Sequence, residues 1–304
     1  MSEAAGQGVK SGLVALAGRP NVGKSTLLNA LLGQKLAIMS DRPQTTRSVV
    51  RGVLHRPEGQ AVFLDTPGLH KPRTLLGQRL NDLVRGTLAE VDLICLLVDA
   101  KAGIGRGDQF LAGELAKVDT PRFALVNKVD AASREQTVAA LAAVAGLGEW
   151  TEVVPLSART GEGVDLLVEL LMANLPEGPA LYPAGHVSDE PEQHLLAEII
   201  REKALGKVRD ELPHSIAVVI EEMGTDLDGT GDEGLLTIRA TLYVERSSQK
   251  PIVIGKGGSV LRDVGTAARA EIEQLLGTRV YLDLHVKVAK EWQGDPKLLA
   301  RLGF

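Results

Sequence analysis

The sequence reads Gly18-Arg19-Pro20-Asn21-Val22-Gly23-Lys24-Ser25 between two apolar segments, and this stretch matches G-x-x-x-x-G-K-[ST] at every fixed position. Residues 13–17 before it form a strand-like apolar run, and residues 25–32 after it place four leucines at helical spacing. A strand, a glycine-rich loop and a helix in this order predict a P-loop that binds phosphate. The alternative is a glycine turn without a ligand.

The residues of this loop have distinct roles toward a bound nucleotide. The glycines let backbone N–H groups surround a phosphate, Lys24 reaches the β and γ oxygens, and the Ser25 hydroxyl ligates the Mg²⁺ that bridges them. The nucleotide-binding residues predicted here are Gly18, Arg19, Pro20, Asn21, Val22, Gly23, Lys24, Ser25 and Thr26.

Short apolar runs alternate with helix-like segments from Leu13 to about Leu175. The clearest predicted strands are residues 61–64, 93–98, 123–126 and 153–156, and the helix-like segments are residues 75–89, 109–117, 134–145 and 164–170. This alternation predicts an α/β domain with a mostly parallel sheet and helices on both faces. The ligand of such a sheet lies at the carboxyl ends of its strands.

Three further motifs each follow a predicted strand: Asp65-Thr66-Pro67-Gly68, Asn127-Lys128-Val129-Asp130 and Ser157-Ala158-Arg159. Asp65 can hold Mg²⁺ through water, and the Gly68 N–H can touch a γ-phosphate, although such a tetrad is often only a turn. The Asp130 carboxylate can accept two N–H bonds from guanine, with a helix N-cap as the alternative. Backbone N–H groups at Ser157 and Ala158 can meet the guanine O6. Together with the P-loop, these motifs predict a guanine-nucleotide site.

Length and composition limit the class of protein. A chain of 304 residues with 44% apolar residues suggests two domains. Residues 1–11 are predicted to be a disordered lead, that is, an N-terminal segment without fixed structure. The single Cys95 excludes an intrachain disulfide, and no secretory pattern opens the sequence, so we expect a cytoplasmic protein without a transmembrane segment. Residues 1–187 hold 19 basic and 19 acidic residues, and residues 188–304 hold 15 and 20. This balance by itself counts against nucleic-acid binding.

A proline-containing segment without periodicity divides the chain. Residues 177–191 are predicted to be a linker between a first domain, residues 11–176, and a second domain, residues 192–304. The second domain has the pattern helix, strand, strand, helix, strand, which describes a compact α+β fold. Between its two middle strands, residues 224–234 predict a mobile acidic loop.

The second domain contains Gly255-Lys256-Gly257-Gly258, a GxxG loop between the strand-like residues 251–254 and a predicted helix. In this context the loop predicts a type II KH domain, whose glycines let the backbone approach the phosphates of single-stranded nucleic acid. A structural turn is the alternative. The local distribution of charge is compatible with nucleic-acid binding even though the second domain is acidic overall. Basic residues that include Arg269 lie near the loop, whereas six acidic residues are concentrated in residues 221–233. The RNA-binding residues predicted here are Lys250, Ile254, Gly255, Lys256, Gly257, Gly258 and Arg262.

These motifs resemble those of the translation-factor-related class of GTPases, and within it the Era family of bacterial GTPases. The resemblance rests on GRPNVGKST, PQTTR, DTPG, NKVD and SAR, and beyond the linker on LPHSIAVVIE and VIGKGGS. It implies a GTPase that binds the 3′ end of 16S ribosomal RNA and assists small-subunit assembly. It also implies a monomer with possible peripheral association at the inner membrane. The acidic loop and Ala289-Lys290-Glu291-Trp292 depart from the basic character expected of the family.

The resemblance also implies how the nucleotide is handled. Thr46, or its neighbour Thr45, would ligate Mg²⁺, and Asn21 would add an oxygen to a bound K⁺ beside the phosphates. Leu69 stands where related enzymes carry a water-orienting Gln, so the catalytic group stays unassigned, with Asn21 and Thr46 as candidates. Residues 42–51 and 68–76 would be the switch loops. The alternative is a nucleotide-gated protein that hydrolyses GTP negligibly and acts on a protein or membrane-associated partner.

Overall fold

The computed structural model describes residues 9–39, 47–68, 74–208, 215–225 and 234–304. Its backbone contacts divide the chain into two compact units, the first containing most residues up to Asp189 and the second containing Glu190–Phe304. Within the described residues, no helix is long and apolar enough to cross a membrane.

The first unit is built on a six-stranded sheet with the order β2-β3-β1-β4-β5-β6. Its strands are β1 (Lys10–Gly18), β2 (Val50–Arg56), β3 (Gly59–Asp65), β4 (Leu93–Asp99), β5 (Arg122–Asn127) and β6 (Glu152–Pro155). Its helices are α1 (Lys24–Leu32), α2 (Leu75–Ala89), α3 (Arg106–Leu115), α4 (Arg134–Ala145) and α5 (Val164–Asn174). All strand pairs are parallel except β2 with β3, so the prediction of a mostly parallel sheet is confirmed.

Strand β4 explains why the predicted strands read as continuous apolar runs. Leu93, Cys95 and Leu97 belong to a hydrophobic cluster on one face of the sheet, while Ile94 and Leu96 belong to a cluster on the other. All five side chains are fully buried. A strand that is covered on both faces needs apolar residues at every position, and the polar residues are left for the strand ends.

The first unit differs from the prediction in two respects. Strand β2 was not predicted, although it forms the antiparallel edge of the sheet. Strand β1 already begins at Lys10, so Lys10 and Ser11 do not belong to a disordered lead; Lys10 pairs with Gly59 and Ser11 with Gln60. Residues 1–8 of that lead lie outside the described residues.

The second unit packs helices on a three-stranded sheet with the order β7-β8-β9. In chain order it contains α6 (Glu192–Lys207), β7 (Ala217–Thr225), β8 (Leu235–Val244), α7 (Lys250–Ile254), α8 (Ser259–Leu276), β9 (Arg279–Val288) and α9 (Pro296–Arg301). Strands β7 and β8 are antiparallel, whereas β8 and β9 are parallel. The predicted order of the five main elements is therefore confirmed.

Residues 251–254 form part of helix α7 and not the predicted strand. Pro251 stands in the first turn, where its missing N–H costs no helical hydrogen bond, and Val253 is buried in the core of the unit. Most of the predicted acidic loop, residues 226–233, lies outside the described residues.

The predicted linker is in contact with the first unit for much of its length. The buried Gln60 side chain accepts hydrogen bonds from the N–H groups of Leu181 (2.8 Å) and Tyr182 (3.0 Å), and it donates to the Tyr182 carbonyl (2.9 Å). Ser188 donates to the Arg51 carbonyl on β2 (2.6 Å). We call residues 181–188 the strap. The strap lies along the outer edge of the sheet, which a flexible linker would leave open.

Candidate nucleotide site and candidate nucleic-acid interface

The P-loop connects β1 to α1 and presents a buried cation. Lys24 is 6% exposed, and its ammonium group donates to the carbonyl oxygens of Gly18 and Arg19, each at 3.2 Å. Burial lowers the pKa of Lys24, and the negative charge of Asp65 opposes that shift. The first N–H groups of α1 and this lysine together form a strong anion-binding position.

Ser25 and Asp65 meet at the mouth of this loop. The Ser25 hydroxyl donates to Asp65 Oδ2 at 2.7 Å, and Asp65 is fully buried at the end of β3. Thr66 fixes the chain after Asp65 because its hydroxyl donates to the Leu16 carbonyl on β1 (2.8 Å). One hydroxyl and one carboxylate at this spacing suit Mg²⁺, which prefers oxygen ligands and retains several waters.

Asn127 connects the predicted guanine end of the site to the P-loop. Its side-chain amide donates to the Val22 carbonyl at 2.7 Å, and its side-chain oxygen accepts from the Ala158 N–H at 2.9 Å. A side chain at Gly23 would place its Cβ 2.3 Å from the Asn127 amide nitrogen, so only glycine fits there. The Ala158 N–H that was predicted to meet guanine O6 is thus held by Asn127 beside the loop.

Asp130 and Ser157 come from different motifs and are brought together. The Ser157 hydroxyl donates to Asp130 Oδ1 at 2.7 Å, while the Asp130 residue is exposed to solvent. The N-cap of α4 is Ser133, whose hydroxyl accepts from Gln136, so Asp130 is not the cap of that helix. An oriented, exposed carboxylate at this edge can receive the two N–H groups of a guanine base.

Lys128 extends from the predicted base end of the site to the P-loop. Its ammonium group donates to the Asn21 carbonyl at 2.6 Å and pairs with Asp99 at 2.8 Å. Burial would raise the pKa of Asp99, but hydrogen bonds from Lys128 and from the N–H groups of Ala102 and Lys101 outweigh burial and lower that pKa. Asp99 was not predicted, although its position at the carboxyl end of β4 could have suggested it.

The catalytic candidates are only partly described. Thr46, Thr45 and Leu69 lie outside the described residues. Asn21 is exposed and has the left-handed backbone conformation, with φ 65°, that asparagine tolerates better than most residues. The remaining predicted residues, Pro20, Thr26, Pro67 and Gly68, lie in or beside the same loops.

The GxxG loop of the second unit joins α7 to α8. Gly255, Gly257 and Gly258 all have positive φ angles, between 59° and 79°, and this explains the glycines at three of the four positions. Lys250 and Lys256 are exposed on either side of Ile254. The loop therefore offers bare backbone and two cations to an approaching phosphate.

A groove of about 340 Å³ begins at this loop, between α8 and β9. Its lining includes Leu261, Leu282 and Leu284, together with Arg262 and Arg269. Tyr281, also in the lining, is 49% exposed and presents an aromatic ring on which a base can stack. The lining residues Tyr281, Leu282 and Leu284 on β9 were not predicted.

The described acidic residues of β7 lie at the opposite edge of the sheet from this groove. Glu222 pairs with Arg239 at 2.6 Å, and Glu221 accepts from the Tyr243 hydroxyl at 3.0 Å. Since β8 separates β7 from β9, this negative charge is held away from the cationic groove. The unit can therefore be acidic in total and still attract a nucleic acid on one face.

Two protein-family models match the chain. A model described as 50S ribosome-binding GTPase matches residues 13–128, and a KH domain model matches residues 211–293. These matches confirm the predicted fold class, a P-loop GTPase domain with a mostly parallel sheet followed by a KH domain.

Curated relatives and solved structures match over nearly the whole chain. The chain is 56% identical over 301 residues to GTPase Era from a Nocardioides species, covering 97% of this chain and 96% of that one. It is 57% identical over 298 residues to GTPase Era from Mycobacterium tuberculosis, covering 97% and 98%. A crystal structure of an Aquifex aeolicus Era variant bound to GDP·AlF4⁻ superposes with a TM-score of 0.92 at 38% identity, covering 97% and 99%. A structure of Era in complex with MgGDPNP and nucleotides 1506–1542 of 16S ribosomal RNA superposes with a TM-score of 0.91 at 39% identity, again covering 97% and 99%.

Proposed function

Since the chain belongs to the Era family of GTPases, we propose that it is a GTP-hydrolysing switch that binds the 3′ end of 16S ribosomal RNA. In this role it assists assembly and maturation of the small (30S) ribosomal subunit. One observation carries the proposal: the same chain joins a P-loop with a guanine-type base site to a GxxG loop beside a cationic groove. Residues 11–176 are its GTPase domain, residues 177–191 its linker and residues 192–304 its KH domain.

GTP binding uses the two ends of the described site. Lys24 and the N–H groups at the start of α1 hold the β and γ phosphates, and Asp130 accepts hydrogen bonds from the base. Asn127 and Lys128 fix the positions of the phosphate end and the base end relative to each other, because both side chains donate hydrogen bonds to P-loop carbonyls. The hydroxyl of Ser25 and the carboxylate of Asp65 suit a magnesium ion, with Asp65 acting through water and Thr46 as a third ligand. When bound, Mg²⁺ neutralises charge that develops on the phosphates during hydrolysis.

We further propose that Asn21 binds K⁺ beside the phosphates. Asn21 is exposed in the P-loop, and we infer that its side-chain oxygen can reach a cation at the edge of the phosphate site. A monovalent cation there would supply positive charge to the transition state. Residues 42–51 and 68–76, which precede or overlap β2 and α2, are the proposed switch loops.

RNA binding uses the second unit. The backbone of Gly255–Gly258 approaches the phosphates of a single strand, with Lys250, Lys256 and Arg262 supplying charge. Bases then lie along the groove beside Tyr281, where aromatic stacking stabilises unpaired bases.

The alternative, a weakly hydrolysing protein that acts on a protein or membrane-associated partner, is not favoured, because the relatives across the whole chain are GTPases. A ribosomal RNA partner implies that the protein is located in the cytoplasm. We propose a monomer whose association with the inner face of the cell membrane is at most peripheral. Sedimentation of the purified protein and flotation with anionic lipid vesicles test these two points, and a stable dimer would overturn the first.

The proposal is tested by exchanging Lys256 and Gly257 together for Asp. Two carboxylates where phosphates should approach add like-charge repulsion and obstruct the backbone, so affinity for RNA should fall about 100-fold or more. Fluorescence anisotropy with an oligonucleotide of the 16S 3′ end measures this, and GTP turnover of the same sample should be unchanged.

Gly294→Asp with Lys297→Asp is a matched control, because it changes the charge of the unit equally at exposed positions outside the groove. This control should bind RNA within about threefold of wild type at equal salt. Unchanged RNA affinity in the folded loop variant would overturn RNA binding by this groove. Absence of GTP turnover in the wild-type protein would favour the non-hydrolysing alternative.

A further inference from the structure

Asp108 lies in α3, outside all four nucleotide motifs, yet it contacts the P-loop directly. Its side chain is 0% exposed. One carboxylate oxygen accepts from Arg19 Nε at 2.7 Å, and the other accepts from the Gly105 N–H at 2.8 Å. A carboxylate is expensive to bury, and here a cation and the first turn of a helix compensate it.

Arg19 is held from a second direction as well. Its terminal nitrogen donates to the Gly103 carbonyl at 3.1 Å. A side chain at Gly107 would place its Cβ 2.7 Å from Arg19 Cδ, so the start of α3 is shaped to admit the stem of this arginine. The guanidinium group thus joins the P-loop to the loop before α3 and to α3 itself.

The backbone of Arg19 has a role in the phosphate site. Its carbonyl is one of the two acceptors that position the Lys24 ammonium group. Its neighbour Pro20 packs so closely on Gly68 that a Cβ at Gly68 would lie 3.0 Å from the Pro20 nitrogen. Any displacement of Arg19 would therefore disturb both the P-loop lysine and the contact with the Asp65–Gly68 tetrad.

We propose that Asp108 is a positioning residue for guanine-nucleotide binding, because it fixes the phosphate end of the P-loop through Arg19. Asn127 and Lys128 hold the base end of the loop through the carbonyls of Val22 and Asn21. The P-loop is thus held at both ends. Residues of a nucleotide-binding motif hold one end, and Asp108 of α3 holds the other. This inference rests on the proposed binding of guanine nucleotides.

Asp108→Asn tests the role of the charge. The amide keeps the size of the side chain and an oxygen for the Gly105 N–H, but it loses the charge that holds Arg19. Release of N-methylanthraniloyl-GDP from the full-length protein, measured by stopped-flow fluorescence, should become about tenfold faster. The preference for guanine over xanthine nucleotides should not change, because the base end of the loop is held independently.

Arg19→Gln should accelerate release to a similar extent, and the double variant should be no faster than either single variant. Arg19→Lys, which retains the charge beside Asp108, should fall between wild type and Arg19→Gln. These Arg19 variants decide the question even if Asp108→Asn fails to fold. Asp119→Asn, at an exposed position after α3, is the matched control and should release nucleotide like wild type.

Release rates within twofold of wild type in folded Asp108→Asn or Arg19→Gln would overturn the inference. So would additive effects in the double variant, since these would mean that the two residues act separately. A wild-type protein that fails to bind the fluorescent nucleotide would instead remove the proposed function itself.

Discussion

The backbone N–H of Val53 donates a hydrogen bond of 2.8 Å to the carbonyl oxygen of Val187. Val53 lies on β2, the edge strand of the first sheet, and Val187 lies in the strap. The strap thereby covers a strand edge whose N–H groups would otherwise face solvent. Residues 42–51, proposed as a switch loop, overlap the start of β2, so we expect a nucleotide-dependent change there to reach the strand that holds the strap.

Gln60→Leu should release the strap. Gln60 is 2% exposed and forms three hydrogen bonds with the backbone of Leu181 and Tyr182. Leucine fills similar space but leaves those backbone groups without a partner, so the free energy of unfolding should fall by about 2 to 4 kcal/mol. Urea unfolding measures this loss, and limited proteolysis should show faster cleavage within residues 181–188.

Gln193→Leu is the control for this prediction, because Gln193 is exposed on α6. It should change neither the unfolding free energy nor the cleavage rate. Cleavage of the Gln60→Leu protein at the wild-type rate would mean that the other contacts of the strap, from Val53, His55 and Ser188, suffice to hold it.

The sequence predicts the buried strands well because their pattern is local. Residues 93–98 are apolar throughout, and β4 spans Leu93–Asp99. Strand β2 was not predicted because Arg51, Gly52 and His55 interrupt its apolar residues. Its pairing with β3 supplies stability that its own sequence pattern does not indicate. Three of the four residues in the short run 251–254 are β-branched, yet tertiary packing of Val253 favours a helix. A run this short does not distinguish a strand from a helix.

The candidate site was likewise predictable only where the signal is local in the sequence. The motifs could be recognised because each is a short pattern with a fixed chemistry, and the structure brings Asp130 to Ser157 as their order implied. The pairing of Arg19 with Asp108 spans 89 residues and leaves no local signal. Residues 177–191, which include the strap, are predicted to be a linker because their prolines and glycines indicate the absence of helix and strand. That absence is also compatible with an ordered segment held by side chains.

Asp130→Asn should change the choice of base. A carboxylate presents two acceptors to guanine, whereas an amide presents one acceptor and one donor, which suits xanthine better. GTP affinity should fall about 100-fold or more, and xanthosine triphosphate should bind better than it does to wild type. Competition with a fluorescent guanine nucleotide measures both affinities. Asp165→Asn, at an exposed position in α5, is the control, and equal GTP affinity in Asp130→Asn would show that Asp130 does not contact the base.

Asp99 should make stability depend on pH. Although burial raises the pKa of Asp99, hydrogen bonds with Lys128 and two backbone N–H groups bring it below its ordinary value of 3.8. The stabilisation is therefore complete above the pKa of the unfolded chain and is lost as pH falls through the lower pKa of the folded protein. Asp99→Asn should be less stable than wild type at pH 7, and the difference should shrink below about pH 4. Urea unfolding at both pH values checks this, and an equal difference at the two would contradict a role for the charge.

Hydrolysis of GTP should be faster in KCl than in NaCl at equal ionic strength, because a K⁺ ion held by Asn21 would stabilise negative charge on the phosphates. Asn21→Ala and Asn21→Gly should both remove the difference. The two variants are needed together, since Asn21 has φ 65° and alanine in that conformation adds strain of about 1 kcal/mol that glycine avoids. Asn174→Ala, at an exposed position at the end of α5, should keep the full response to K⁺.

Turnover is measured as phosphate release at saturating GTP and constant Mg²⁺. Equal wild-type rates in the two salts would remove K⁺ from the mechanism and leave GTP binding intact, whereas a K⁺ response that survives in Asn21→Gly would assign the ion to another residue.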